Sequence, residues 1–142
     1  MNRGVSLAEL AIVLTVMGLV TAMALPSWEG VLDRIAVERA ASEITTALSV
    51  ARNAAVLRGT RARLSIAADS LVIDEWGDRA WAPVWRCPGP DRDLVSLEVS
   101  NGTVIFGATG IASGFSNTTV VLRRGAHTAR ITTSRVGRVK RW

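Results

Sequence analysis

The chain has 142 residues, enough for one compact domain and one further element. Hydrophobic residues make up 49% and charged residues 20%, too apolar for a disordered chain. A single cysteine, Cys87, excludes an internal disulfide framework, and with a single histidine, His127, it disfavours a Cys/His metal site. The net charge of +5 is unevenly held. Residues 1–98 carry ten basic against twelve acidic side chains, whereas residues 99–142 carry Arg123, Arg124, Arg130, Arg135, Arg138, Lys140 and Arg141 and no acid. A near-neutral body with a cationic end points to an anionic partner: nucleic acid, phospholipid headgroups or an acidic protein face. The plainer alternative is a solvated arginine-rich surface.

From Val5 to Leu25 the sequence reads VSLAELAIVLTVMGLVTAMAL, with Glu9 as its one charge. As a helix of about 1.5 Å rise per residue it extends about 31 Å, the thickness of a bilayer's hydrocarbon core. Arg3 and the amino terminus are expected to stay on the cytoplasmic side. Glu9 is the anomaly, because a carboxylate within an apolar span costs a few kcal/mol unless it is paired or near the interface. A rival reading takes Ala22-Met23-Ala24 as a signal-peptidase site and leaves a secreted, soluble basic protein. Against it stand a cationic region of one arginine, an acid at the start of the apolar run, and the length of that run.

Helical spacing continues beyond Pro26 through Trp28, Val31, Leu32, Ile35, Val37, Ala40, Ala41, Ile44, Ala47, Leu48, Ala51 and Ala55, which together predict one apolar stripe. Gly59 is the expected stop. The chain thus begins with one helix of about 50 residues, bent near Pro26, half in membrane and half amphipathic.

From Arg61 the period changes to two. Strands are predicted around 61–66, 71–73, 94–99, 103–106, 118–123, 129–133 and 136–141, with a hairpin at Arg124-Gly125-Ala126-His127. Strands following one long helix imply an α+β fold, an antiparallel sheet wrapped on that helix. The stretch from Trp76 to Asp93 reads as a loop whose Trp76, Trp81 and Trp85 form a stacking surface for bases or a partner-binding knob or, as the preferred reading, plug the open end of a small core; Cys87 reads as an unpaired, partly buried thiol.

Gly4 followed by Val5-Ser6-Leu7-Ala8-Glu9-Leu10 resembles the class III leader of type IV pilins and type II secretion pseudopilins. The resemblance implies prepilin peptidase cleavage between Gly4 and Val5, N-methylation of Val5, and Glu9 as the filament-assembly glutamate. It also makes Pro26 the proline that kinks the first pilin helix. Val5 stands where phenylalanine is commonest and Ala8 where a larger aliphatic is usual. Cleavage would create an ammonium at Val5, a cation for Glu9 of the same or a neighbouring subunit.

With the Ala-rich helix ending Ala51-Arg52-Asn53-Ala54-Ala55-Val56-Leu57-Arg58-Gly59 and a glycine-punctuated β half, the whole chain resembles the GspH/FimT family of minor pilins and pseudopilins. That resemblance implies four segments: leader 1–4, membrane and filament-core helix 5–25, amphipathic helix 26–59, and a β-rich globular domain 60–142. It implies a structural subunit of a secretion pseudopilus or type IV pilus, held in the bacterial inner membrane by one span with its C-terminal domain periplasmic. Its partners would be other pilins, prepilin peptidase and the inner membrane.

The tail Ser134-Arg135-Val136-Gly137-Arg138-Val139-Lys140-Arg141 is similar to the Gly-Arg-x-Arg signature of FimT-type pilins, which bind DNA in natural transformation. Lys140 takes the place of the second arginine. On that alternative, Arg123, Arg124, Arg130, Arg135, Gly137, Arg138, Lys140 and Arg141 form the DNA-binding set, gripping phosphates without reading sequence. No enzyme is expected. His127 has no nucleophile or acid near it in sequence, and Asp74, Glu75 and Asp78 beside arginine read as solvated acids rather than a metal cluster. No cofactor or metal is expected.

Overall fold

The computed structural model describes residues 6–113, 117–134, 136 and 138–142, and within the helix it leaves the side chains of 24–27 undescribed. Helix α1 runs Leu7–Arg58, and among the described residues nine strands follow: β1 Ala62–Ile66, β2 Ser70–Gly77, β3 Ala80–Pro88, β4 Ser96–Val99, β5 Thr103–Phe106, β6 Ala112–Ser113, β7 Thr118–Arg124, β8 His127–Thr133 and β9 Val139–Arg141. The chain divides into two compact units, Met1–Leu32 and Asp33–Trp142.

In the first unit the apolar side chains from Leu7 to Met23 are exposed, including Leu14, Met17, Leu19 and Val20 at 61–67%. The hydroxyls of Thr15 and Thr21 are satisfied within the helix, donating to the Ala11 and Met17 carbonyls at 2.7 Å. An exposed, charge-poor face of this length has water as its unfavourable neighbour, which is the physical signature of a segment built for lipid or for other helices.

In the second unit, α1 contributes Ala36, Val37, Ala40, Ala41, Ile44, Ala47, Leu48, Ala51 and Ala55 to one continuous core. The steps of three and four place them on one side of the helix, and the six alanines bring its backbone close to the strands. The predicted stripe is shorter than expected at its start: Trp28, Val31, Leu32 and Ile35 are 51–63% exposed. The helix ends as expected. Gly59 takes the left-handed conformation (φ 61°) and donates to the Val56 carbonyl, and the Thr60 N–H reaches the Ala55 carbonyl at 3.1 Å. These two bonds satisfy carbonyls that the helix end would otherwise leave open.

The strands are all antiparallel but form two sheets rather than one. Sheet A has the order β3-β2-β1-β5-β6 and sheet B the order β4-β7-β8-β9. Alternation sends Ala62, Leu64 and Ile66 of β1, Val120 and Leu122 of β7, and Ala129 and Ile131 of β8 into the core. Each fully buried Leu or Ile contributes about 1.5–3 kcal/mol of transfer free energy.

The stretch expected to be a loop from Trp76 is instead a hairpin. Gly77 pairs with Ala80 across a two-residue turn in which Asp78 and Arg79 both have positive φ, the twist that matches paired strands. Register shifts between Ile73 and Asp74. Pro83, which has no N–H to offer the ladder, is tolerated because β3 lies at the edge of sheet A. The tryptophans do not plug the core: Trp76 and Trp85 are 39% and 37% exposed.

Candidate functional site

Two places hold the residues singled out by sequence. The first is the start of α1. The Ser6 N–H donates to Glu9 Oε2 at 3.0 Å, and the Ala8 N–H donates to Ser6 Oγ at 3.2 Å. This reciprocal arrangement is a capping box: Ser6 stands at the N-cap and Glu9 three residues on, each satisfying a backbone donor that the first turn would leave bare. The sequence signal for this role of Ser6 is the spacing Ser6-x-x-Glu9, the capping-box pattern. The positive end of the helix dipole adds a further favourable field for the Glu9 carboxylate. Gly4 and Val5 lie outside the described residues. So does the side chain of Pro26, and with it the expected bend.

The second is the cationic C-terminal stretch 99–142, and the structure splits it. The pleat of each strand sends adjacent basic residues to opposite faces. Arg124 turns to the helix side, where its Nε donates to Asp33 Oδ1 at 2.7 Å and its Nη1 to the Asp93 carbonyl. Its neighbour Arg123 faces outward and pairs with Glu98 at 3.4 Å. Arg141 turns inward to Glu38, while Lys140 faces outward with its Nζ 3.7 Å from the centre of the Trp142 ring. Arg130, Arg138 and Lys140 have no acidic partner among the described residues, and all three are exposed. Arg135 and Gly137 lie outside the described residues.

The eight-residue set therefore does not form one patch. Arg124 and Arg141 fasten the strands to α1, and Arg123 is neutralised by a neighbour on β4. What remains is an outer face of sheet B carrying Arg130, Lys140 and Arg138. It borders an open groove of about 380 Å³ lined also by Thr119, Thr132 and Ser134. Nor is the tail a free arm. β9 pairs with β8 from Thr133↔Val139 to Ile131↔Arg141, and two backbone hydrogen bonds between Arg130 and Trp142 extend the ladder. Ser134 closes the turn by accepting the Arg138 N–H at 3.2 Å.

The tryptophan hairpin makes a third feature that sequence did not resolve. On the outer face of sheet A, Arg63 donates twice to Asp74 Oδ2, at 2.9 and 2.7 Å, and lies 4.7 Å over the Trp81 ring, which meets Trp76 edge-on at 5.2 Å. This ladder accounts for an aspartate buried on the solvent side of a sheet: its charge is paired and its surroundings are aromatic. Asp74 and Glu75 are engaged separately, by Arg63 and Arg58, and among the described residues no three acids, histidines or cysteines meet at a metal-sized site. On the helix side of the same hairpin, Trp85 and Cys87 line a groove of about 260 Å³ with Ser42, Thr46 and Arg92. Burial pushes the Cys87 thiol above its ordinary pKa, Glu43 pushes it further, and Arg92 draws it partly back. The thiol is thus protonated and weakly nucleophilic at neutral pH.

With this architecture in place, comparison with known proteins is decisive at the family level. The model of the family described as "Type II transport protein GspH" matches residues 40–137, well over half the chain. The chain belongs to the GspH family. Among solved structures, this GspH-family fold is similar to the type IV minor pilin FimU of Pseudomonas aeruginosa, with a TM-score of 0.63 and 17% identity over 73% of this chain and 86% of that one. A second crystal form of FimU gives a TM-score of 0.62 and the same identity over 74% and 91%. The minor pseudopilin EpsH of the Vibrio cholerae type 2 secretion system follows at 0.60, with 14% identity over 75% and 95%. At these identities the likeness is one of fold. No curated protein sequence matches the chain significantly. The GspH match starts at Ala40, so Ser6, Glu9 and the exposed apolar span lie before it and stand on their own chemistry.

Proposed function

We propose that the protein is a minor pilin or pseudopilin, a non-enzymatic structural subunit that joins a filament from the bacterial inner membrane and serves its assembly in protein secretion. The observation that carries this reading is the pairing of a GspH-family head with an exposed apolar helical segment, Leu7 to Met23, whose single charge is Glu9. The helix is long and apolar enough to cross a membrane, with an 18-residue window of mean hydropathy 2.1. One span would leave the β-rich domain in the periplasm. The proposed segments are the leader 1–4, the span and filament core 5–25, the amphipathic helix 26–59 and the domain 60–142, with Pro26 as the kink between the two helical parts.

Glu9 gives the proposal its mechanism. In an isolated span its carboxylate has the Ser6 N–H and the helix dipole, which offset only part of its desolvation. Prepilin peptidase cutting between Gly4 and Val5 would place an ammonium beside it. A neighbouring subunit's Val5 amine then completes the pairing, so that the acid is most stable in the assembled filament. Glu9→Gln is expected to lower incorporation into filaments at least tenfold while leaving membrane insertion intact. Undiminished incorporation would defeat the assembly role. Mass spectrometry of the mature chain should find methylated Val5 at its start. A chain starting at Leu25 would instead show signal-peptidase cleavage and a secreted protein.

The outer face of sheet B supports a second reading, capture of DNA for uptake. Arg130, Arg138 and Lys140, with Arg135 beside them in sequence, would bind phosphates without base recognition. Three phosphate contacts give a slope of log K against log salt of about −2.7 on duplex DNA. Full-length protein in detergent should show that salt dependence, and Arg138→Ala with Lys140→Ala should reduce the slope by about two contacts. Salt-insensitive or absent binding would remove the DNA role and leave the filament role standing.

A further inference from the structure

Arg130 and Trp142 stand directly opposite each other at the end of the β8–β9 ladder. The Arg130 N–H donates to the Trp142 carbonyl at 3.3 Å and the Trp142 N–H returns to the Arg130 carbonyl at 2.9 Å. Residues so paired project their side chains to the same face. One step along that face lies the Thr132↔Lys140 pair, about 7 Å away for two residues of strand. Lys140 reaches back over the indole, and Trp142 is 67% exposed, so the ring is not packed into the protein. Beyond Lys140 the groove continues to Arg138 between the hydroxyl-bearing side chains of Thr119, Thr132 and Ser134. Cations in a row, hydroxyls between them and one exposed aromatic ring at the end make up more than a charged patch.

We infer that this face is a platform for single-stranded nucleic acid, on which Trp142 stacks an unpaired base while Arg130, Lys140 and Arg138 hold the backbone. The inference rests on the DNA reading above and narrows its substrate. Every base has a flat π-face, so stacking on an indole is tolerant of sequence, and it gains affinity base by base. A duplex offers no such face along its length, because each base is covered by its neighbours and only edges reach the grooves. Phosphate contacts alone would hold both forms. The indole is what separates them. Lys140 serves twice, polarising the ring from one side and meeting the phosphate of the stacked nucleotide.

The test uses the full-length protein in detergent and fluorescence anisotropy of labelled oligo(dT), a duplex of equal length, and heparin, a polyanion without bases. Oligo(dT) is expected to bind about tenfold tighter than duplex at equal salt. Trp142→Ala should erase that preference while leaving duplex and heparin binding unchanged, and Trp142→Phe should keep most of it. Arg130→Ala should weaken all three ligands. Equal, salt-sensitive binding of oligo(dT) and duplex by the unaltered protein would overturn the inference and leave the DNA reading standing. So would a Trp142→Ala variant that loses heparin as much as oligo(dT). Salt-insensitive or absent binding of all three ligands would overturn both.

Discussion

Gly125 offers the sharpest test of how the strands are fastened to the helix. It sits in the two-residue turn between β7 and β8 with φ 55°, and a Cβ added there would run into the Asp33 carboxylate, with Asp33 Cγ only 3.2 Å away. Gly125→Ala therefore incurs two separate costs. The left-handed conformation costs an alanine about 1 kcal/mol. The Asp33 side chain must also swing away, which breaks its 2.7 Å bond to Arg124. That pair is 25–28% exposed, so solvent screening limits its loss to about 1 kcal/mol. The sum of about 2 kcal/mol corresponds to a fall in melting temperature of roughly 10 °C for a domain of this size. Thermal unfolding followed by tryptophan fluorescence reads it, since Trp76, Trp81 and Trp85 all lie in the β2–β3 hairpin. The decisive measurement is the double-mutant cycle with Asp33→Ala. In that background the clash is gone and Gly125→Ala should cost only about 1 kcal/mol, a coupling of about 1 kcal/mol. The same cost in both backgrounds would refute the contact between turn and helix.

Leu94 is the converse case, a non-glycine residue at φ 55° whose side chain is 74% exposed. Leu94→Gly should raise stability by about 0.5–1 kcal/mol in the same melt, and a loss would show a contact that outweighs the strain. Arg63→Ala leaves the Asp74 carboxylate, 9% exposed, without its partner and should cost about 2 kcal/mol. Asp74→Asn added to that variant should recover part of the loss, which a purely aromatic role for Arg63 would not permit. For Cys87, the folded thiol holds its proton to higher pH than the unfolded one. The head should therefore lose stability as pH rises through the ordinary thiol range of about 8–9, and Cys87→Ser should flatten that decline. Alkylation by iodoacetamide at neutral pH should be slower than for a free thiol.

Much of the fold was legible because periodicity is local. Eight of the nine residues that α1 buries, all but Ala36, announce themselves by steps of three and four, and the Gly59 stop follows from the absence of a Cβ. The β7–β8 hairpin is marked by Gly125 between alternating runs. The β2–β3 hairpin is not legible in the sequence because its turn is Asp78-Arg79, neither of which is a glycine, and because Pro83 and three tryptophans read as loop. What excuses them is an edge position in sheet A and the stacking of Arg63 on Trp81, and both depend on neighbours distant in sequence. Trp28, Val31, Leu32 and Ile35 share the helical period with the core yet remain exposed, since period alone does not say where the covering strands begin.

By itself the order of residues determined the apolar anchor, its lone acid, the long helix and the change to a period of two, because each is a property of adjacent or nearly adjacent side chains. It also determined that the charges of residues 99–142 are all cationic. Only the tertiary structure decided what those cations do. Arg123 beside Arg124, and Lys140 beside Arg141, are equivalent along the chain, but a pleated strand turns neighbours to opposite faces, and only one face of sheet B meets α1. There Asp33 and Glu38 neutralise one residue of each pair. Lys140, with Arg130, Arg138 and Trp142, is left facing water and whatever anion comes to it.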